Sequence, residues 1–144
     1  MTTIAQLLNA KGKQIWLVEP KATIFEALEI MSEKGIGALL VMEDGKLKGI
    51  FSERDYARKV ILKGKSSKET PVGELMTKKV FYIDPQKTTN DCMAMMTAKR
   101  IRHVPVIEDN QVMGIVTIGD VVNQIISEQE VTINHLENYI TGSH

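Results

Sequence analysis

Apolar and polar residues follow one order along the first part of this chain. The run "IWLV" at 15–18 is rich in β-forming residues and ends at an acid and a proline. After Thr23 the apolar residues recur at helical spacing, namely Ile24, Ala27, Leu28 and Met31. Two apolar runs around an Asp-Gly turn follow in "GALLVMEDGKLKGIFS", and the segment "DYARKVILK" then has a helical pattern. The pattern predicts a β-α-β-β-α unit.

The same order returns 65 positions later. "VFYI" at 80–83 corresponds to "IWLV", and Thr88 corresponds to Thr23 as the expected helix N-cap. "HVPVIEDNQVMGIVT" repeats the strand pair with an Asp-Asn turn, and "DVVNQIISEQE" repeats the final helix. Residues 18–55 and 83–120 share eleven identities in 38 aligned positions, where chance predicts about two. The chain therefore contains an internal duplication.

The duplication predicts an α/β (α+β) fold in four segments. These are a first repeat at 10–63, a linker at 64–72, a second repeat at 73–126 and a C-terminal helix extension at 127–141. Within the polar linker, Thr70-Pro71 is typical of an N-cap followed by proline at the first helical position. A unit of about forty residues is too small to be stable alone. We therefore expect the two repeats to pack around a pseudo-twofold axis, so that any cleft between them exists twice.

The C-terminal segment keeps a helical pattern beyond the duplication. Its apolar residues stand at positions 122, 125, 126, 133, 136 and 140. This spacing predicts a long amphipathic helix. Two uses of its apolar face stay open, because it could cover its own module or contact a second copy of the chain.

Composition and charge set limits on the function. The 144 residues are 43% apolar and contain 18 Lys plus Arg and 18 Asp plus Glu, so there is no overall basic excess for nucleic acid. The densest apolar stretch, "IGALLVM", is too short to cross a bilayer, and the first residues lack the pattern of a signal peptide. The single cysteine, Cys92, favours a reducing compartment. We expect a cytoplasmic protein with no nucleic-acid or membrane partner.

No catalytic constellation is found in the sequence. His103, His135 and His144 are scattered, and none has a cysteine or carboxylate at metal-ligand spacing. Cys92 aligns with Ala27 in the first repeat, which favours a packing role. "GKSS" at 64–67 lacks the first glycine of a phosphate-binding loop. We expect no enzyme activity, no metal and no catalytic cofactor; a small nucleotide-processing enzyme would require observed turnover.

The motif Gly-Ile-apolar-hydroxyl-x-x-Asp occurs twice, as "GIFSERD" at 49–55 and "GIVTIGD" at 114–120. One interpretation is a capping device at a strand-to-helix turn, where the hydroxyl and carboxylate bond the first N–H groups. The other is a ligand site, in which the carboxylate accepts hydrogen bonds from a ribose and the helix start suits phosphate. Capping and binding are compatible, so the motif alone does not decide between them.

Both copies and their spacing closely resemble a tandem cystathionine β-synthase (CBS) domain pair, the Bateman module, over about residues 10–125. The residues that carry the resemblance are "GALLVMEDGKLKGIFSERD" and "RHVPVIEDNQVMGIVTIGD". The resemblance implies a regulatory, signal-transducing sensor that binds adenosine-containing ligands in two clefts between the repeats. AMP is the first expectation, with ADP, ATP, NAD or S-adenosylmethionine as alternatives. It also implies a homodimer and an unidentified regulated protein.

The resemblance assigns one set of residues to a main cleft. Asp120 falls on the ribose-binding aspartate, Thr117 on the motif hydroxyl and Ile115 beside the base. Arg102 and His103 fall where basic residues meet phosphate, and Lys13 would add charge from the opposite side. The opposite repeat would complete this cleft with Ile15, Trp16, Ile36, Gly37 and Ala38.

A second cleft is implied by the other copy. Its residues would be Ile50, Ser52, Arg54, Asp55, Phe81 and Ile101, with Arg58 as a further basic residue. Arg102 and His103 align with Gly37 and Ala38, so only the second repeat offers charged donors at this point. We therefore expect the Asp120 cleft to be the stronger phosphate site, unless Arg102 and His103 are simply a solvated strand start.

A rival interpretation needs no ligand. In it both motifs only cap helices, and the chain is a protein-interaction or dimerisation module that regulates a partner enzyme through its C-terminal helix. Under this interpretation, replacing Asp55 or Asp120 should cost similar stability, and replacing Arg102 should change little.

Overall fold

The computed structural model describes residues 1–141, so His144 and its two preceding neighbours lie outside the described residues. The chain divides into two compact units. The repeat-one unit is continuous and spans Ile15–Phe81. The repeat-two unit combines Met1–Gln14 with the chain from Tyr82 onwards. The second unit is therefore built from two separate stretches of sequence.

The helices and strands follow one another in the order expected of a duplicated unit. In chain order they are α1 (Ile4–Lys11), β1 (Leu17–Val18), α2 (Ile24–Lys34), β2 (Ala38–Glu43), β3 (Lys46–Ser52), α3 (Glu53–Asp55) continued by a π-helix (Tyr56–Ile61), α4 (Val72–Leu75), α5 (Thr89–Lys99), β4 (His103–Glu108), β5 (Gln111–Thr117) and α6 (Ile118–Thr141). The repeat-one unit holds a sheet of order β1-β2-β3, in which β1 is parallel and β3 antiparallel to β2. In the repeat-two unit β4 pairs antiparallel with β5. This architecture confirms the predicted mixed α/β fold.

The predicted helix caps are confirmed. Thr23 precedes α2 and its hydroxyl accepts a hydrogen bond from the Glu26 N–H at 3.1 Å. Thr88 precedes α5 and accepts from the Asp91 N–H at 3.1 Å, while Asp91 Oδ2 accepts from the Thr88 N–H at 3.0 Å. Each cap satisfies N–H groups that the first helical turn leaves unpaired.

Both hairpin turns also form as the sequence predicts. Asp44 and Gly45 have φ of 52° and 74°, and Asp109 and Asn110 have φ of 51° and 62°. Two consecutive left-handed residues match the twist of the flanking strands, and aspartate, asparagine and glycine are the residues that tolerate this conformation. Each strand pair has a register shift after the equivalent valine, Val41 or Val106.

Each unit has its own apolar core. In the repeat-one unit α2 packs on the sheet, and Phe51 is among the largest fully buried side chains. In the repeat-two unit the helix α1 supplies Ile4, Leu7 and Leu8 to a core that also contains Cys92 and Val121. The sequence did not predict α1, which has no repeat-derived counterpart in the aligned region. Cys92 is fully buried, and this burial raises the pKa of its thiol to about 11, so the predicted packing role is confirmed.

The strand predicted at "VFYI" is wrong. Only Ile83 forms a bridge, parallel to Val106, whereas its counterpart in the first repeat belongs to β1. In the first repeat the Leu40 N–H donates to the Trp16 carbonyl at 3.4 Å. The residue equivalent to Leu40 is Pro105, which has no N–H to donate to Phe81. The missing donor shortens the strand pairing in the second repeat.

The helix predicted after Thr70-Pro71 begins one residue later than expected. Pro71 occupies the N-cap position of α4, and the Thr70 carbonyl instead accepts from the Ile24 N–H at 3.0 Å. The predicted helix "DYARKVILK" also differs in detail, because most of it is π-helical rather than α-helical.

The predicted long C-terminal helix is confirmed as α6, a single helix of 24 residues. Its first turns pack on the repeat-two unit through buried Val121 and half-buried Ile125. Thr2 holds it further along, donating to Glu128 Oε1 from its N–H at 3.0 Å. From Gln129 to Thr141 every residue is exposed. Within the described chain, no helix combines the length and apolar character needed to cross a membrane.

Candidate functional site

Both copies of the repeated motif form the same capping device. The Ser52 N–H donates to Asp55 Oδ2 at 2.9 Å, and Ser52 Oγ accepts from the Asp55 N–H at 3.2 Å. In the second copy the Thr117 N–H donates to Asp120 Oδ2 at 2.9 Å, and Thr117 Oγ1 accepts from the Asp120 N–H at 3.2 Å. The capping interpretation is therefore confirmed for both. The two carboxylates differ in what else they contact.

Asp55 is enclosed by its own unit. It is only 7% exposed, and Oδ1 accepts from Thr77 Oγ1 at 2.9 Å and from Lys59 Nζ at 3.0 Å. Lys59 Nζ also donates to the Leu75 carbonyl at 3.1 Å. Both carboxylate oxygens of Asp55 thus have protein donors. This arrangement ties the start of α3 to the segment that follows α4.

Asp120 keeps one carboxylate oxygen without a protein donor. Its Oδ2 accepts from Thr117 and from Lys11 Nζ, while none of residues 1–141 donates to Oδ1. The side chain is 26% exposed. Burial alone would raise the pKa of Asp120, but the hydrogen bonds from Lys11 and Thr117 outweigh it and lower that pKa. Asp120 is therefore an ionised carboxylate with an accepting oxygen at the protein surface.

The repeat-two unit brings several of the predicted main-cleft residues together around Asp120. His103 is paired with Thr117 in the strand register, and the Arg102 carbonyl accepts from the Ile118 N–H at 2.9 Å. Arg102 is exposed and His103 is half-buried. The Ile115 carbonyl, two residues before Thr117 on β5, accepts a hydrogen bond from Lys11 Nζ at 2.8 Å. Basic and acidic side chains therefore share one end of the β4-β5 hairpin.

Lys11 is the site residue that the sequence interpretation missed. It ends α1 and pairs with Asp120, whereas the predicted Lys13 is exposed two residues later. The contact joins residues 109 positions apart, and local pattern cannot show it. The usable signal was the basic residue in the last turn of a short apolar helical pattern, "IAQLLNAK".

The main-cleft residues from the first repeat have defined places in the repeat-one unit. The Gly37 carbonyl accepts from the Glu53 N–H at 3.0 Å, and Ala38 pairs with Ser52. Ile36 and Trp16 pack against the core of that unit, and Ile15 is half-buried. Lys34 Nζ lies 4.5 Å from the centroid of the Trp16 ring. Their assignment to the Asp120 cleft stays a prediction.

The remaining second-cleft residues divide between the two units. Ile50 exchanges backbone hydrogen bonds with Thr77 at 2.8 and 3.0 Å. Arg54 is exposed, and Lys79 Nζ lies 5.6 Å from the Phe81 ring centroid. Ile101 packs against the core of the repeat-two unit. Their common cleft likewise stays a prediction.

The glycine that opens each motif copy has a packing role. A Cβ on Gly49 would lie 2.7 Å from both the Thr77 carbonyl oxygen and Met76 Sδ. A Cβ on Gly114 would lie 2.9 Å from Leu8 Cδ2. Both distances are too short for ordinary packing. A side chain at Gly49 would therefore meet the backbone that follows α4, whereas one at Gly114 would meet the end of the Leu8 side chain on α1.

A surface groove of about 570 Å³ lies in the repeat-one unit. Its lining residues are Phe25, Leu28, Glu29, Ser32, Glu33, Tyr56 and Ser67. None of the predicted ligand-binding residues belongs to this set. In residues 1–141 no three histidine, cysteine, aspartate or glutamate side chains are grouped so that they could hold a metal ion.

The chain is similar in sequence and in structure to known proteins with CBS domains. The CBS domain family model matches residues 12–62 and 72–127. The mitochondrial CBS domain-containing protein CBSX3 of Arabidopsis thaliana is 40% identical over 152 residues, covering 99% of this chain and 74% of the relative. The solved structure of a protein with CBS domains from Burkholderia ambifaria MC40-6 has a TM-score of 0.86 and 46% identity, covering 89% of this chain and 96% of that one.

A second similar structure contains adenosine compounds. It is the CBS domain pair of protein MJ0100 in complex with 5′-methylthioadenosine and S-adenosyl-L-methionine. Its TM-score is 0.75 at 26% identity, over 86% of this chain and 99% of that chain.

Proposed function

Because this chain belongs to the CBS domain family and carries two CBS repeats, we propose that it is a non-catalytic regulatory module that binds an adenosine-containing ligand at Asp120. AMP is the first candidate, with ADP, ATP, NAD and S-adenosylmethionine as alternatives. The functional parts are the repeats at 10–63 and 73–126, the linker at 64–72 and the helix extension at 127–141. A reducing, cytoplasmic setting suits the single buried Cys92, although the Arabidopsis relative is named as mitochondrial.

The observation that carries the proposal is the difference between the two carboxylates. Asp55 uses both oxygens within its unit, whereas Asp120 has Oδ1 without a donor among residues 1–141. An ionised carboxylate with an accepting oxygen is what a ribose hydroxyl requires as a partner. This supports Asp120 as the stronger site and Asp55 as a mainly structural residue.

Positive charge beside Asp120 supports a phosphate-bearing ligand. Arg102 is exposed at the start of β4, and His103 follows it opposite Thr117. The first repeat has Gly37 and Ala38 at these positions. Arginine offers phosphate several fixed donors and stays charged at any physiological pH. We propose that Arg102 contacts the phosphate and that Trp16, Ile36, Gly37 and Ala38 complete the adenosine site.

The MJ0100 complex supports the adenosine part of the proposal, because that similar domain pair holds two adenosine compounds. A ligand can regulate only if it binds two arrangements of the protein with different affinity. We propose that nucleotide binding shifts either the packing of the repeats or the association of a homodimer, and so signals to a regulated protein.

Isothermal titration of the full chain with AMP, ADP, ATP, NAD and S-adenosylmethionine tests the proposal. We expect binding of at least one of these ligands by the parent chain. Asp120→Ala should weaken it about tenfold or more, since a lost hydrogen bond to a charged acceptor costs about 1.5–3 kcal/mol. Arg102→Ala should weaken the binding of nucleotides that carry phosphate and leave the binding of S-adenosylmethionine nearly unchanged.

Asp91→Ala is the matched control for capping. Asp91 forms the same reciprocal pair with Thr88, with hydrogen bonds of 3.0 and 3.1 Å, but lies at the start of α5 rather than beside Arg102. It should lose a similar capping contribution and bind ligand normally. Absence of binding by the parent, or equal binding by Asp120→Ala, would overturn the proposed function.

The closed network of Asp55 favours a second candidate function. If both motifs serve only as caps, the chain is a ligand-free interaction module that regulates a partner enzyme. It would then bind none of the five ligands, and Arg102→Ala would leave both stability and partner regulation unchanged. The titration therefore separates the two candidates.

A further inference from the structure

The exposed end of α6 has the spacing of a coiled-coil seam. Ile126, Ile133 and Ile140 recur every seven residues, and Gln129 and Leu136 stand three residues after the first two. These residues occupy the a and d positions of two heptads. All are exposed, with Ile126 at 46% and Ile140 at 80% of their surface. The four apolar residues of this seam are therefore not covered by any part of residues 1–141.

The length of the exposed segment also calls for a partner. Residues 129–141 make no buried contact, and together with residue 126 the seam extends over about 22 Å of helix. A helical end of this length is marginal in water without packing. Thr2 contacts Glu128 within the first heptad of the seam, and every residue from Gln129 to Thr141 is exposed.

We propose that α6 pairs with α6 of a second copy of this chain in a parallel, two-stranded coiled coil over residues 126–140. Isoleucine at a with leucine at d favours two strands over three or four. The seam supplies Ile126, Ile133 and Ile140 at a, and Leu136 at d. In a twofold pair each copy presents the same a and d residues to the other, so apolar positions meet apolar positions.

The positions of the glutamates favour a parallel over an antiparallel pair of helices. The e positions hold Glu130 and Glu137, and the g positions hold Thr132 and Tyr139. In an antiparallel pair e faces e, which brings the glutamates of the two helices together. In a parallel pair e faces g, so each glutamate meets a neutral residue. The helix has no lysine or arginine to offset a glutamate pair.

Gln129 favours the same direction and fixes the register. In a parallel pair d faces d, so the two Gln129 amides meet and hydrogen-bond each other. In an antiparallel pair Gln129 would face an isoleucine, and its amide would be buried without a partner. One polar residue in a seam is a known determinant of register.

Cysteine crosslinking of the full chain, without nucleotide, tests the pairing. Cys92 is buried, so Ile140→Cys adds one accessible thiol, and the parent chain is the control. A parallel pair brings the two new thiols together. An antiparallel pair in which Gln129 faces Ile133 or Ile140 separates them by about 17–27 Å along the helix axis, which no disulfide spans. We expect Ile140→Cys to form a disulfide-linked dimer on mild oxidation and the parent to form none.

A matched pair of variants tests the seam. Ile133 and Val131 are 52% and 54% exposed, but Val131 lies at an f position away from the seam. In the Ile140→Cys chain, Ile133→Glu should reduce crosslinking about tenfold or more, since it places a charge in the seam. Val131→Glu should leave the crosslinking unchanged. Light scattering should likewise show a dimer for Val131→Glu and a smaller dimer fraction for Ile133→Glu.

No crosslink in Ile140→Cys, or equal crosslinking after Ile133→Glu, overturns the proposal. Circular dichroism confirms that each variant is folded, and Leu136→Ser provides a milder seam variant if Ile133→Glu is not. The result does not depend on ligand, so it leaves the nucleotide proposal untouched.

Discussion

Asp55 and Asp120 align in the duplication and cap equivalent helices, yet their surroundings require different effects of substitution. Asp120→Ala removes a cap and a half-exposed ion pair, so we expect a loss of about 1 kcal/mol. Asp55→Ala also leaves the Thr77 hydroxyl and the Lys59 ammonium without their acceptor at a buried site. We expect a loss of about 2–3 kcal/mol.

Urea denaturation of the two variants beside the parent chain measures this difference. Asp91→Ala is the reference for a cap alone. Equal losses for Asp55→Ala and Asp120→Ala would show that the Thr77 and Lys59 contacts add nothing to the cap of Asp55, as the ligand-free interpretation assumed.

At the scale of elements, a chain segment crosses each hairpin close to a glycine, but the two glycines meet different atoms. Gly49→Ala would place a methyl group against the carbonyl of Thr77, whose backbone is held by a hydrogen bond from the Ile50 N–H and another to the Ile50 carbonyl. Gly114→Ala meets only the end of the Leu8 side chain, which can change rotamer. We expect losses of about 2–3 kcal/mol for Gly49→Ala and about 1 kcal/mol for Gly114→Ala.

Thermal and urea unfolding of the two glycine variants show which of them loses more stability. The design contains its own control, because both substitutions add the same methyl group at equivalent positions. A larger loss at Gly114 would mean that buried Leu8 is held more rigidly than the Thr77 backbone.

The elements that the sequence predicts well are those whose causes are local. The caps at Thr23 and Thr88 and the turns at Asp44 and Asp109 depend on residues within a few positions of one another. The strand at "VFYI" failed because its partner position is a proline 24 residues away, Pro105. The helix α1 was missed because the core residues it packs against come from the far half of the chain.

The candidate site was predictable in part for the same reason. Thr117 and Asp120 lie in one motif, and His103 follows from the strand register. Lys11 could not be predicted in this way, since it reaches Asp120 only through the packing of α1. The engagement of Asp55 by Lys59 and Thr77 could not be inferred either, because the motif is the same in both repeats.

At the scale of the whole molecule, acid should weaken the fold. Hydrogen bonds from Thr88 lower the pKa of Asp91, and a hydrogen bond from Thr2 lowers the pKa of Glu128. The pKa of Asp120 is also lowered, its burial being outweighed by Lys11 and Thr117. Their ordinary values are 3.8 for aspartate and 4.5 for glutamate. A group with a lowered folded pKa stabilises the fold above its ordinary value and loses that contribution as pH falls through the folded value.

We therefore expect the free energy of unfolding from these groups to be level above about pH 5.5 and to decrease below about pH 4.5. Urea titrations over this range measure it. Asp120→Asn should make the acid decrease shallower than in the parent chain. An unchanged slope in Asp120→Asn would contradict the contribution assigned to its ion pair.

The helix α1 also sets an order of events during synthesis. The repeat-one unit is complete once residue 81 has been made, whereas α1 must wait for the strands and helices that follow Tyr82. At about 5–20 residues per second, residues 82–144 take about 3–13 s to synthesise. For that interval the apolar side chains of Ile4, Leu7 and Leu8 have no core to join. Nascent chains of this protein should therefore be open to chaperones at the segment of α1.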